Sequence, residues 1–243
     1  MKTLNTETET RREAVESMFN SIAGRYDFLN RLLSFGTDRC WRRKAVGVIA
    51  GKYKNPYILD VATGTADLAI EAVKTAGARV VGIDISAAML EAGRKKIVRH
   101  RLGEQIGIVM AGAEAIPFMA GVFDVAMVAF GVRNFASPQA GLQEMHRVLK
   151  DGGMIMVLEF SRPQGFPFRH LYGFYFTKVL PLVGCLFSGN RKAYRYLPDS
   201  VLAFPDNEAF IGMLSAAGFS GISQMRLTGG IASIYTGFKT PAQ

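Results

Sequence analysis

The sequence predicts an α/β fold of the Rossmann-like kind: a mostly parallel seven-stranded sheet flanked by helices, with a C-terminal antiparallel hairpin and an N-terminal helical lid. Three observations carry that prediction. The stretch from Tyr57 to Ser86, YILDVATGTADLAIEAVKTAGARVVGIDIS, runs through a short apolar segment, a turn, a helical rhythm and a second apolar segment, which is a βαβ unit. Further apolar runs at Ile106 to Met110, Phe123 to Phe130 and Met154 to Phe160 alternate with helix-patterned stretches, as expected of strands covered on both faces. Two strand-like runs, Phe219 to Leu227 and Ile231 to Phe238, flank Gly229 and Gly230 and read as a closing hairpin.

Taken in order, Met1 to Thr10 is rich in Thr, Glu and Asn and is expected to be a disordered arm, leaving residues 11–243 as a single domain. From Arg11 a helical face of Val15, Met18, Phe19 and Ile22 runs to a break at Gly24. A second amphipathic pattern then places Tyr26, Leu29, Leu32 and Leu33 together, with Trp41 as a further anchor. Residues 11–50 are therefore assigned to the helical lid. In the βαβ unit, Leu68, Ala69, Ala72 and Val73 give the helix its apolar face, and the second strand ends at Asp84. Ser86 is a plausible N-cap for a helix to Arg101, with Met89, Leu90 and Ile97 inward. Arg94, Lys95, Lys96, Arg99, His100 and Arg101 form a basic end that complements the negative pole of that helix. Gln139 to Leu149 forms another helix, stopped by Lys150, Asp151, Gly152 and Gly153. His146 lies on it as a packing or capping residue. Leu197 to Phe204 and Asp206 to Ala217 are helical, with Gly218 as the stop.

In an open parallel sheet the ligand sits at the carboxyl ends of the strands, which brings Asp60, Gly64 and Asp84 to one crevice. Gly64 allows the backbone close to a ligand. Asp84, about twenty residues on, is placed to accept from the two ribose hydroxyls of a nucleoside cofactor. The loop ATGTAD lacks the glycines of a dinucleotide fingerprint, and the acid at the end of the first strand would repel a pyrophosphate. A ligand bearing an ammonium and a sulfonium suits it better, which points to S-adenosyl-L-methionine. The alternative is that Asp60 and Asp84 cap the turn and the helix that follow them. At the carboxyl end of the fourth strand, GVRN places Arg133 and Asn134 over the same crevice, with a surface ion pair as the alternative for Arg133.

The formal net charge of +9 suits a phosphate-bearing or anionic-lipid surface, or solubility alone. Cys40 and Cys185 build no disulfide framework, and the three histidines show no metal spacing, so no metal is expected. The first residues carry no secretory pattern, and a cytoplasmic location is expected. Phe166 to Phe187, FPFRHLYGFYFTKVLPLVGCLF, is long and apolar, yet Arg169, His170 and Lys178 interrupt it and Pro181 breaks it. A buried helix, a membrane-surface helix and the wall of a greasy channel all fit; the aromatic content with Arg191, Lys192 and Arg195 nearby favours interfacial insertion.

The string YDFLNRLLSFGTDRCW resembles the N-terminal signature of the ubiquinone/menaquinone biosynthesis C-methyltransferases, with Tyr26, Asp27, Asn30, Ser34 and Trp41 in register. Leu29 replaces a Met of that signature, and Asp38 stands where the family has His. RVLKDGGMIMVLEFS matches the second signature, departing only at Asp151. The resemblance implies a class I S-adenosylmethionine-dependent methyltransferase fold and methylation of a prenylated quinol at carbon, with demethylmenaquinol favoured by the GTAD form of the loop and the benzoquinol precursor of ubiquinone, both quinols, or another small molecule as the alternatives. It carries over Thr65 and Asp84 as cofactor contacts, supported by Gly64. It also makes AGAEAIPF the adenine loop, with backbone contacts from Gly112 and Ala113 or a contact from Glu114, and Ala129 at the end of the fourth strand on the cofactor side. The substrate is then the hydroquinone, since the oxidised ring is electron-poor. Arg133 would steady the developing phenolate. Tyr26, Asp27 or Asn134 would hold the water that takes the ring proton. Residues 163–205 would be an aromatic helical insertion facing substrate and membrane, with the protein peripheral on the inner face of the plasma membrane and an anionic membrane surface as a transient partner. The sequence leaves the oligomeric state open, a homodimer included.

Three other functions fit less well. A nicotinamide oxidoreductase leaves Asp60 and the single loop glycine unexplained. A nucleic-acid methyltransferase would carry a base-stacking or acidic or amide tetrad where FGVRN stands, so nucleic acid is not an expected partner. A non-catalytic lipid-surface module has no need of the crevice acids.

Overall fold

The computed structural model describes residues 2–163, 165, 173, 196 and 199–241. Its elements are α1 (Lys2–Ile22), α2 (Tyr26–Leu33), α3 (Thr37–Ala50), β1 (Tyr57–Val61), α4 (Asp67–Ala76), β2 (Arg79–Asp84), α5 (Ala87–Arg99), β3 (Ile106–Met110), β4 (Phe123–Ala129), α6 (Pro138–Val148), β5 (Leu149–Phe160), α7 (Glu208–Ala216), β6 (Phe219–Leu227) and β7 (Ala232–Lys239). The seven strands form one sheet in the order β3-β2-β1-β4-β5-β7-β6. The first five are parallel to one another, and β7 is antiparallel to both β5 and β6. The order reverses between β1 and β4, so a crevice opens beyond their carboxyl ends.

The apolar runs are continuous because both faces of the sheet are covered. On one side, Ile58, Val80, Val125 and Met127 pack under Trp41, Val46 and Ile49 of α3 and Leu68 and Ala72 of α4. On the other, Leu59, Val61, Ala126 and Val128 pack under Leu142 and Met145 of α6 and Phe210 and Leu214 of α7. Alternate residues of one strand thus enter opposite cores, as the period of two requires. Ser86 caps α5 as expected, its Oγ accepting from the Met89 amide at 3.2 Å.

Three elements differ from the sequence reading. Helix α1 starts at Lys2, inside the stretch expected to be a disordered arm. Once the turn at Arg11 is helical, each residue added upstream costs little, because propagation gains one hydrogen bond per residue fixed. Helix α3, assigned to the lid, is a core layer instead: Ala45, Val46 and Ile49 are wholly buried, and the Trp41 indole donates to Thr228 Oγ1 at 2.8 Å. The last helix begins at Glu208 rather than Asp206, because Asp206 is drawn into a pair with Arg162 at 2.8 Å and Asn207 adopts a positive φ. The aromatic stretch Phe166 to Phe187 and its basic neighbours Arg191, Lys192 and Arg195 lie outside the described residues, as does most of the insertion 163–205. Among the described residues no helix is long and apolar enough to cross a membrane.

Candidate active site

An open cleft lies at the carboxyl ends of β1, β2 and β4. Gly64, Asp84, Ile85 and Met89 form one wall; Ala111, Ala113, Glu114, Phe135 and Ala136 form the other. Ala129, Phe130, Gly131 and Asn134 make the floor, and Arg12, Val15 and Phe19 of α1 with Tyr26 of α2 close the top. Helix α1 is held there by the Asn20 side-chain oxygen, which accepts from Ser86 Oγ at 2.7 Å and from the Ala88 amide at 3.2 Å. Its middle is tied down by Arg11 Nη2, which donates to the Arg133 carbonyl at 3.2 Å.

The carboxylate of Asp84 organises the wall. Its Oδ2 accepts from the Gly64 amide and its Oδ1 from the Ser86 amide, both at 2.8 Å. Burial pushes the Asp84 carboxyl up, and these backbone bonds pull against that shift. Each oxygen retains a lone pair, so the group can still accept from a vicinal diol. Gly64 has φ +55°, a left-handed conformation that favours glycine and turns the loop backbone toward the cleft. Asp60 sits behind the loop: it is 1% exposed, its Oδ2 accepts from Thr63 Oγ1 at 2.6 Å, and it does not line the cleft. Burial pushes its carboxyl up to about 7, with the Asp84 charge adding to the shift and the Thr63 bond opposing it.

At the floor, Asn134 donates to the Phe130 carbonyl at 3.2 Å and accepts from the Tyr196 hydroxyl at 3.0 Å. Behind it Arg133 is buried. Its Nη1 donates to Glu159 Oε1 and to the Phe130 carbonyl, each at 2.6 Å, and its guanidinium lies 5.3 Å from the Phe160 ring centre. Arg133 Nε and Glu159 Oε2 are buried with no hydrogen-bond partner among the described residues. Tyr26 meets Phe19 edge-on at 6.0 Å, and burial raises its hydroxyl above the usual tyrosine range.

This geometry has counterparts among known proteins. The model of the ubiE/COQ5 methyltransferase family matches residues 5–239. The chain belongs to that family. Ubiquinone/menaquinone biosynthesis C-methyltransferase UbiE of Geotalea uraniireducens is 49% identical over 230 residues, 93% of this chain and 97% of that protein. Demethylmenaquinone methyltransferase of Thermus thermophilus is 49% identical over 221 residues, 90% of this chain and 99% of that protein. The solved structure of an S-adenosylmethionine-dependent methyltransferase from Thermotoga maritima has a TM-score of 0.64 at 17% identity, over 93% of this chain and all of that one. At that identity the likeness concerns the fold.

For a ubiE/COQ5 methyltransferase, the residues singled out in the sequence divide into two groups. Gly64, Asp84, Ala113, Ala129, Tyr26 and Asn134 meet at the cleft. Asp60, Thr65, Asp27, Gly112 and Arg133 do not line it. The Thr65 hydroxyl is turned to Asp27 and Lys96, and both Asp27 oxygens are engaged, one by Thr65 at 2.7 Å and the other by Lys96 at 2.6 Å. Asp27 is thus no free holder of a proton-accepting water. Gly112 is covered by Arg12 and Glu114, and Glu114 Oε1 in turn accepts from the Ser137 amide. Arg133 forms an ion pair, but a buried one, so neither sequence reading of it was complete. Sequence reasoning missed Glu159, Tyr196 and Lys96. Glu159 sits at the carboxyl end of a buried strand and Lys96 is seven residues after Met89 on the inward face of α5, both legible signals; Tyr196 had none.

Proposed function

We propose that this protein transfers the methyl group of S-adenosyl-L-methionine to a ring carbon of a prenylated quinol, demethylmenaquinol in the first place. The observation that carries the reading is the cleft itself: a diol-accepting carboxylate at Asp84 on one wall and, across an apolar interior, an amide floor at Asn134. The names of close relatives supply the substrate class, and the five that carry both quinones in their names favour a second reading, methylation of the benzoquinol precursor of ubiquinone as well.

When bound, the cofactor supplies an electrophilic methyl on a sulfonium. Asp84 holds the ribose, and Phe19, Phe130 and Phe135 keep water from the reacting centre. The quinol's own ionised hydroxyl pushes electron density onto the adjacent ring carbon, which makes it the nucleophile, and the proton displaced from that carbon leaves to water in the cleft; the buried Arg133–Glu159 pair holds the Phe130 carbonyl from behind the floor. Asn134, fixed by Phe130 and Tyr196, and the raised-pKa Tyr26 hydroxyl orient the ring.

The deciding assay incubates the purified protein with S-adenosylmethionine and short-tailed demethylmenaquinol or its benzoquinol analogue under reducing conditions. Ring C-methylation, absent with the oxidised quinone, is the expected product; methylation at oxygen, or none with either quinol, refutes the proposal. The prenyl tail also argues for a bilayer-facing segment, because extracting it would expose methylenes at about 0.8 kcal/mol each. Phe174 and Phe176 replaced by Ser should therefore lower turnover of long-tailed quinol in anionic vesicles far more than turnover of a tail-less quinol, and equal losses would place these rings in the core.

A further inference from the structure

Lys96 lies in the basic end of α5, where a solvated side chain is expected, yet the residue is only 8% exposed. Its Nζ donates to Thr65 Oγ1 at 2.8 Å and pairs with Asp27 Oδ2 at 2.6 Å and Asp67 Oδ1 at 2.5 Å. Thr65 Oγ1 donates onward to Asp27 Oδ1 at 2.7 Å, which closes a ring of three side chains. Asp67 also pairs with Arg42 of α3 at 3.3 Å, and Arg42 pairs with Asp38. One turn earlier on α5, Gly93 faces the same loop: a Cβ there would stand 3.3 Å from the Gly64 carbonyl oxygen and 3.4 Å from the Thr65 carbonyl carbon. Helix α5 therefore props the Gly64–Thr65 turn from behind and grips the lid helix α2 through the same ammonium group.

We propose that Lys96 is a positioning residue that fastens α2 to the cofactor turn through Asp27, so that lid and turn act as one unit when S-adenosylmethionine binds. This rests on the reading of the Gly64 turn as the cofactor's seat. The placement explains why Asp27 is held away from the cleft while its neighbour Tyr26 lines it: the carboxylate is the anchor, and the phenol is what the anchor aims. Three carboxylates (Asp27, Asp38, Asp67) meet two cations (Arg42, Lys96), so the cluster is negative by one charge. The sign of the test follows. Deleting Lys96 makes the surroundings more negative, and on charge alone a cationic cofactor would bind more tightly; loss of positioning makes it bind less tightly.

The experiment uses the full chain as wild type, Lys96→Met, Asp27→Asn, the double variant, Gly93→Ala and Asp84→Ala. It reads S-adenosylmethionine affinity by calorimetry and amide exchange over residues 26–33. Lys96→Met and Asp27→Asn should each weaken binding at least tenfold and speed exchange in α2 at least tenfold while β4 stays protected. The double variant should lose no more than the worse single variant, because the two side chains act as one contact. Gly93→Ala should weaken binding with α2 exchange unchanged. Affinity in Lys96→Met within twofold of wild type or tighter, losses that multiply in the double variant, or unchanged α2 exchange would overturn the proposal. Should Lys96→Met fail to fold, Asp27→Asn decides by α2 exchange, since loss of a negative charge would by itself weaken a cationic cofactor. Asp84→Ala separates the premises: normal binding there would refute the seat of the cofactor and the proposal with it, whereas loss there beside normal binding in Lys96→Met refutes the fastening alone.

Discussion

Replacing Asp84 by Asn keeps the volume and removes the charge at the group that joins the cofactor turn to the start of α5. In the native protein both carboxylate oxygens accept from backbone amides, Gly64 on one side and Ser86 on the other, each at 2.8 Å. An amide side chain has one oxygen and one NH₂, so it can serve only one of these amides and must set a donor against the other. One charge-assisted bond, worth about 1.5–3 kcal/mol, is lost outright. For a chain of this size that corresponds to a fall in Tm of about 3 to 12 °C. The ribose loses an anionic acceptor at the same time, so S-adenosylmethionine affinity should fall by about tenfold to a hundredfold or more. Differential scanning calorimetry of the free protein and titration calorimetry of the folded variant at 20 °C measure the two effects separately. A folded Asp84→Asn protein with cofactor affinity within threefold of wild type would refute the assignment of this carboxylate to the ribose.

The Asp60 carboxyl, lifted to about 7, keeps its proton in the folded protein at pH values where the unfolded chain has released it. The native state then binds more protons than the unfolded state between about pH 4 and 7, so stability should fall as pH rises through that window. Asp60→Asn should flatten this slope in urea titrations at pH 5 and 7.5, and an unchanged slope would assign it to other groups. Glu159→Gln leaves the Arg133 guanidinium buried against a neutral amide and should cost about 3–5 kcal/mol in urea unfolding, much of it recovered when Arg133 is replaced by Met as well. Tyr196→Phe frees the Asn134 amide at the floor, and should lower kcat about tenfold at saturating cofactor with cofactor affinity unchanged; wild-type kcat would remove Tyr196 from the substrate side.

The sheet was legible because its strands are short apolar runs bounded by turn residues, and a run such as Val125 to Val128, apolar at every position, suits a layer covered by helices on both faces. Asp84 and Gly64 were legible for a related reason: topology alone brings strand ends to one crevice. The charged pairs were not. Arg133 and Glu159 are 26 residues apart, and Lys96 and Asp27 sit on helices whose packing angle the sequence does not encode locally. A basic residue near a helix end suits the helix dipole equally well whether it is solvated or buried, so local pattern favoured the solvated choice for Lys96. Met89, Gly93 and Lys96 share one helix face, and that spacing was the available clue.

The hydrogen bonds that seat α1 reach far along the chain: Arg11 meets a carbonyl 122 residues away, and Asn20 meets a hydroxyl 66 residues away. The earliest of these elements to be synthesised is therefore among the last to find its place, since its docking surface exists only after β2 and β4 have each paired with β1 and the turn that carries Arg133 has formed. Until then the newly made α1 has only local contacts, and an isolated amphipathic helix is marginal in water. Non-local contacts of this kind are made late because their loop-closure entropy must be met before they contribute. The cleft that α1 roofs is thus completed at the end of folding, and a nascent or truncated chain lacking β4 has neither the cleft floor nor the Arg133 carbonyl that ties α1 down.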